Sequence, residues 1–90
     1  MPAQEDLDGL KPYLRAMTLE AMEKHLAHTP RQESRSRIKR LRGWLSAEYR
    51  LRVGADVRVF YRVAGNEVLV LRVLTKDETG HYYRQEGMPT

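Results

Sequence analysis

The stretch Glu48–Val63, EYRLRVGADVRVFYRV, decides how this chain is read. Tyr49, Leu51 and Val53 alternate with Arg50 and Arg52. A period of two belongs to a β-strand and sends the two arginines to one face. Gly54-Ala55-Asp56 interrupts the pattern with turn-forming residues. Alternation then resumes, with Val57, Val59, Tyr61 and Val63 on one side and Arg58, Phe60 and Arg62 on the other. Two antiparallel strands with one apolar and one basic face follow. The apolar face has to be covered by another part of the chain.

Working outward toward the C-terminus, Gly65-Asn66 is a two-residue hairpin signal. Val68–Leu74 (VLVLRVL) is apolar on both faces except at Arg72, which predicts the central, most buried strand. From Thr75 onward charges mix with Gly80, His81, Tyr82 and Tyr83, and the segment reads as a tail that frays at Gly87-Met88-Pro89. Toward the N-terminus, residues 31–43 (RQESRSRIKRLRG) hold only Ile38 and Leu41 as core signals. They read as a basic connecting arm, ordered by the contacts of those two residues with the sheet. Trp44 and Tyr49 suit either core or interface, and both readings stay open.

Further out, Leu19, Met22 and Leu26 recur at helical spacing, and Ala16 extends their stripe. Pro12 suits a first helical turn, and Thr29-Pro30 ends the helix. Before Gly9 the chain is acidic at its start, which suits a helix N-terminus. The predicted fold is therefore α+β, an N-terminal helical hairpin packed on a small antiparallel sheet. It is one domain, with the hairpin over 1–28, the basic connector over 29–47, the strands over 48–74 and the tail over 75–90.

Ninety residues, 41% of them hydrophobic and 31% charged, suit one soluble globular domain. The absence of cysteine excludes disulfides, thiolate catalysis and the usual zinc ligand sets. No apolar stretch approaches the ~20 residues of a membrane span and no signal peptide opens the chain, so a cytoplasmic protein is expected. The net charge of +4 is unevenly spread. Residues 1–28 carry three basic and five acidic side chains, 31–62 carry ten and three, and 63–90 carry three and four. The middle third, at +7, either faces a polyanion, nucleic acid first among them, or forms a solvated basic face.

Strand alternation and the first hairpin gather Arg50, Arg52 and Arg58 into one patch. Each guanidinium can fork onto a phosphate, and none loses its charge near neutrality. Lys76 leaves the last strand toward the same region and Tyr82 follows it, placed to stack on a base or exchange a proton. Taken singly, such arginines more often keep a sheet soluble and guard its edges.

Three ordered blocks, Lys39-Arg40-Leu41-Arg42-Gly43, Glu48–Gly54 (EYRLRVG) and Asp56–Val63 (DVRVFYRV), are followed by Val73-Leu74-Thr75-Lys76 and the tyrosines. Over Ile38–Tyr83 this order resembles the RelE/ParE superfamily of bacterial toxins. The resemblance implies a toxin of a type II toxin–antitoxin system, with a cognate antitoxin as partner and no cofactor or metal. Carried over residue by residue, the catalytic set of the RelE branch falls on Arg50, Arg52, Arg58, Lys76 and Tyr82. Lys39, Arg40, Arg42, Arg62 and His81 would add contacts to RNA. The full set favours that branch, an endoribonuclease that cuts mRNA on the ribosome and so inhibits translation.

Such cleavage would use the RNA's own 2′-hydroxyl as nucleophile. Arg52 and Arg58 would stabilise the phosphorane, Lys76 would protonate the leaving oxygen or add charge, and Tyr82 would stack or take a proton. His81 is a rival acid–base group, and Glu48 is either a base or the ion-pair partner of an arginine. Two features differ from the family. The short apolar strand that usually opens it has no counterpart in Met1–Asp8. Arg50 and Arg52 stand where relatives carry lysines, and arginine cannot act as a general base. The alternatives are a ParE-like toxin that inhibits DNA gyrase by binding, and a member that only binds RNA or its antitoxin.

Overall fold

The computed structural model describes residues 2–27, 29–33, 37–41 and 47–85, with the backbone alone for residues 2 and 82–85. Helix α1 (Pro2–Asp8) and helix α2 (Pro12–Leu26) form the expected hairpin. Strands β1 (Ile38–Arg40), β2 (Tyr49–Val53), β3 (Val57–Ala64) and β4 (Glu67–Thr75) follow, then helix α3 (Lys76–Gln85). The sheet is an antiparallel meander in the order β1-β2-β3-β4. The α+β class holds, with helices packed on a four-stranded sheet.

One row of cross-strand partners shows how the alternation becomes a core. Ile38 pairs with Leu51, Leu51 with Val59, and Val59 with Val73, and all four side chains are buried. Tyr49, Tyr61, Val53 and Val57 continue this face, which meets Leu7 and Leu26 from the helices. The Tyr49 and Tyr61 rings stack with centroids 5.5 Å apart, and the Tyr61 hydroxyl donates to the Pro30 carbonyl at 2.6 Å. Burial, and secondarily the Tyr49 phenol, push the Tyr61 phenol well above its ordinary range.

Four expectations need correction. The buried stripe of α2 is Leu14, Thr18, Ala21, Met22 and Leu26, whereas Ala16 and Leu19 are exposed. Thr18 is fully buried because its hydroxyl donates to the Leu14 carbonyl at 2.7 Å, which satisfies its polar atom inside the helix. The connector contributes β1, a three-residue edge strand whose Lys39 and Arg40 stay exposed. Short, charged edges resist pairing with other chains.

The strand read as central, β4, lies at the other edge, and the inner strands of the meander are β2 and β3. Two apolar faces on β4 reflect two coverings, not a central place. A register shift opposite Phe60/Tyr61 leaves Leu71 as an extra residue. Val68, Val70 and Val73 thereby face the helical hairpin, while Leu71 and Leu74 face a second cluster with Phe60 and Ala47. Arg72, the one charge in this strand, is held by α1. Asp6 accepts from Arg72 Nε at 2.7 Å and Nη2 at 3.1 Å, and from the Val73 amide at 3.0 Å. One carboxylate therefore neutralises the arginine and caps part of the sheet edge.

The tail read as irregular begins with a helix. Thr75 and Glu78 form a capping box: the Thr75 amide donates to Glu78 Oε1 at 3.0 Å, and the Glu78 amide to Thr75 Oγ1 at 3.4 Å. The Thr75-x-x-Glu78 spacing is the signal for α3 that the mixed composition of the segment concealed. Thr79, one turn in, is buried, and α3 packs against β3 and β4. Residues 2–8 are helical, in keeping with the lack of an opening apolar strand.

Candidate functional site

The register fixes which cations share a face. Lys39 lies opposite Arg50, Arg50 opposite Phe60, and Arg52 opposite Arg58. Alternation along β3 adds Arg62, about 13 Å from Arg58 along the strand. Lys39, Arg50, Arg52, Arg58 and Arg62 are therefore gathered on the sheet face away from the helical hairpin. Arg40, paired with Tyr49, belongs to the opposite face, and its amide donates to Glu33 Oε1 at 3.1 Å. Arg42 and Trp44 lie outside the described residues, as does the side chain of Tyr82.

Like charges directly opposite each other repel. Here the carbonyls around the Gly54–Asp56 turn relieve part of that repulsion. Arg52 Nε donates to the Gly54 carbonyl at 3.3 Å, and Arg58 Nη1 to the Ala55 and Val57 carbonyls at 3.4 and 3.1 Å. Gly54 can close this turn because it adopts φ +58°, a region that side-chain-bearing residues disfavour. The Lys76 amide donates to the Asp56 carbonyl at 2.8 Å, which places the start of α3 at the same end of the sheet. Lys76 and His81 are both exposed.

Arg50 differs from its neighbours. It is half-buried, and its Nε has no hydrogen-bond partner among the described residues. Leaving a buried donor unsatisfied costs about 1–3 kcal/mol, which a bound acceptor would recover. Glu48 is on the same face, where its Oε1 accepts from the Val63 amide at 2.9 Å. Among the described residues no group of three or more His, Asp or Glu side chains is placed to hold a metal ion. No helix among them is long and apolar enough to cross a membrane.

Sequence reasoning missed a second basic cluster. Lys24 and His25 of α2 line a cleft of about 250 Å³ together with Arg37 and Arg52. Arg52 thus borders both surroundings. The Asp6–Arg72 pair was also missed. Its partners stand 66 residues apart, and nothing local in the sequence couples them.

The family whose pattern matches the chain is described as "ParE toxin of type II toxin-antitoxin system, parDE", and the match covers residues 1–80. No curated protein matches significantly, and neither does any solved structure. The matched region takes in both helices of the hairpin, all four strands and the basic face, and it lends no support to the RelE branch over the ParE branch. Helices packed on a four-stranded antiparallel sheet and a match across residues 1–80 agree, and the chain belongs to the ParE toxin family of type II toxin–antitoxin systems, within the RelE/ParE superfamily.

Proposed function

We propose that this ParE-family toxin arrests growth by binding DNA gyrase through its basic sheet face, without chemistry of its own, and that a cognate ParD-type antitoxin silences it. The observation that carries this reading is the state of the arginines. Arg52 and Arg58 direct donors to carbonyls of their own strands and turn, so they hold positive charge in fixed places. The described residues of the face include guanidiniums, the Lys39 ammonium, Phe60 with Leu74, the Arg72–Asp6 pair, and Glu48, whose carboxylate is engaged by a backbone amide. That set suits electrostatic recognition better than proton transfer near neutrality. An antitoxin segment rich in carboxylates would complement the same charge.

A second reading, the ribosome-dependent endoribonuclease, is favoured by one specific arrangement. Arg52 and Arg58 stand opposite each other, and Lys76 starts a helix tied to the turn between their strands. Three of the five carried-over positions thus come to one end of the sheet, where they would surround a scissile phosphate. In that reading mRNA and the ribosome are partners, and Arg50 and Tyr82 complete the site.

One experiment separates the two. The toxin is induced in a bacterial host while mRNA 5′ ends are mapped and gyrase-dependent DNA breaks are scored, with Arg58→Ala alongside. DNA breaks without ribosome-phased cleavage are the expected result. Ribosome-phased cleavage that disappears in Arg58→Ala would replace the gyrase reading by the nuclease, and no growth effect would leave a member that only binds.

A further inference from the structure

The cleft between α2 and the corner of β1 and β2 shares Arg52 with the arginine row read as the functional face, and the rest of its lining has a chemistry of its own. Just before β1, the Arg52 amide donates to the Arg37 carbonyl at 2.7 Å, which sets the two backbones side by side. Their side chains line the cleft with Lys24 and His25, above an apolar floor that includes Met17, Ala21 and Val53. Among the described residues Glu20 is the one carboxylate in the lining, and it stands one helical turn before Lys24, at the spacing where opposite charges offset each other. Among the described lining residues Lys24, Arg37 and Arg52 are cationic, and protonated His25 adds to them.

His25 and Arg37 are in contact, with Nε2 and Nη1 3.2 Å apart. An arginine nitrogen is always a donor, so neutral His25 accepts through Nε2 and carries its proton on Nδ1. Burial first, then the Arg37 guanidinium and the Lys24 ammonium, hold His25 below its ordinary range. Protonation at Nε2 would turn this contact into two donors aimed at one place. A doubly charged tetrahedral anion bridging them would reverse the repulsion that keeps His25 neutral.

We propose that this cleft is an oxyanion site that takes one phosphate group, held by Arg37 and Arg52, and that it binds more tightly when His25 is protonated. Among the described residues, the charged groups that line the cleft with His25 are Glu20 and Lys24 from α2, Arg37 from the segment before β1, and Arg52 from β2. Anion affinity is therefore highest below the pKa of His25 and falls as pH rises through it. The phosphate can be a free ion or part of a nucleic-acid backbone, and the chemistry of recognition is the same.

The test follows the backbone amide of Gly54, in the lining of the cleft, by NMR on the full chain at constant ionic strength. Sulfate is the first probe, because it keeps both charges across the range in which His25 titrates. A saturable shift is expected, with affinity roughly fivefold or more higher near pH 5.5 than near pH 8. Arg37→Gln and Arg52→Gln should lose saturation, His25→Gln should bind weakly and without pH dependence, and Arg15→Gln should titrate like the parent. Inorganic phosphate and a short DNA duplex then identify the source. Displacement of sulfate by the duplex assigns the site to backbone phosphates, and displacement by phosphate alone assigns it to the free ion. The absence of any saturable shift, or unchanged binding in both arginine variants, would overturn the proposal. Equal affinity at the two pH values would remove His25 from it.

Discussion

The two faces of the β2–β3 pair are made by the same ten paired residues, yet they live under different physics. On one face Leu51, Val57, Val59 and Tyr61 are fully buried beneath the helical hairpin. On the other, Arg52 and Arg58 stand opposite each other and hydrogen-bond to the turn, while Arg50 keeps a donor with no partner among the described residues. On that same face Phe60 anchors a small second cluster with Leu74 and Ala47. The difference separates the residues that hold the fold from those spared that duty. One side meets its needs within the chain, and the other retains charge and, among the described residues, a donor without an acceptor.

The largest expected effect would break the apolar face. Leu51→Ala should destabilise the fold by about 2–5 kcal/mol, through lost burial and the cavity left in the row from Ile38 to Val73. Urea unfolding followed by circular dichroism measures it, and a loss under about 1 kcal/mol would mean that this row is not the core. Next comes the lock on the β4 edge. Asp6→Ala leaves Arg72 and the Val73 amide without their acceptor, and about 2–3 kcal/mol of stability should go with it. Faster hydrogen exchange at Val73 would show that the edge has opened.

Tyr61→Phe should cost about 1 kcal/mol, since it removes the hydrogen bond to Pro30 and leaves the ring in place. The same residue sets an alkaline limit. Its folded pKa is raised, so its contribution is whole below the unfolded value of about 10 and is lost as pH climbs above that value. The parent should therefore lose stability more steeply than Tyr61→Phe above about pH 10, and parallel melting curves would contradict this. Thr75→Ala, which removes the N-cap of α3, should cost about 1 kcal/mol and should loosen α3 before the sheet.

The smallest effect on folding sharpens the contrast between the faces. Arg58→Ala should change stability by no more than about 1 kcal/mol, because its hydrogen bonds to the Ala55 and Val57 carbonyls are local to the turn. Under either functional reading it should still weaken toxicity. A variant that folds like the parent and keeps full toxicity would show that the arginine row serves only solubility.

The sequence by itself determined the parts governed by short-range periodicity. The alternation over Glu48–Val63 yields β2, β3 and the sorting of arginines from aliphatics, because side chains of a strand alternate whatever lies around it. Gly65 and Gly54 mark the two turns and take the positive φ values those turns require. The tertiary structure decided what depends on distant partners. Ile38–Arg40 becomes a strand because Leu51 offers it a buried position in register, although its own three residues carry little strand signal. The apolar β4 goes to the edge because α1 and α3 cover what a central strand would hide between neighbours. Asp6 and Arg72, like His25, Arg37 and Arg52, meet only once the chain is folded, since charges far apart in sequence are coupled by space and not by spacing.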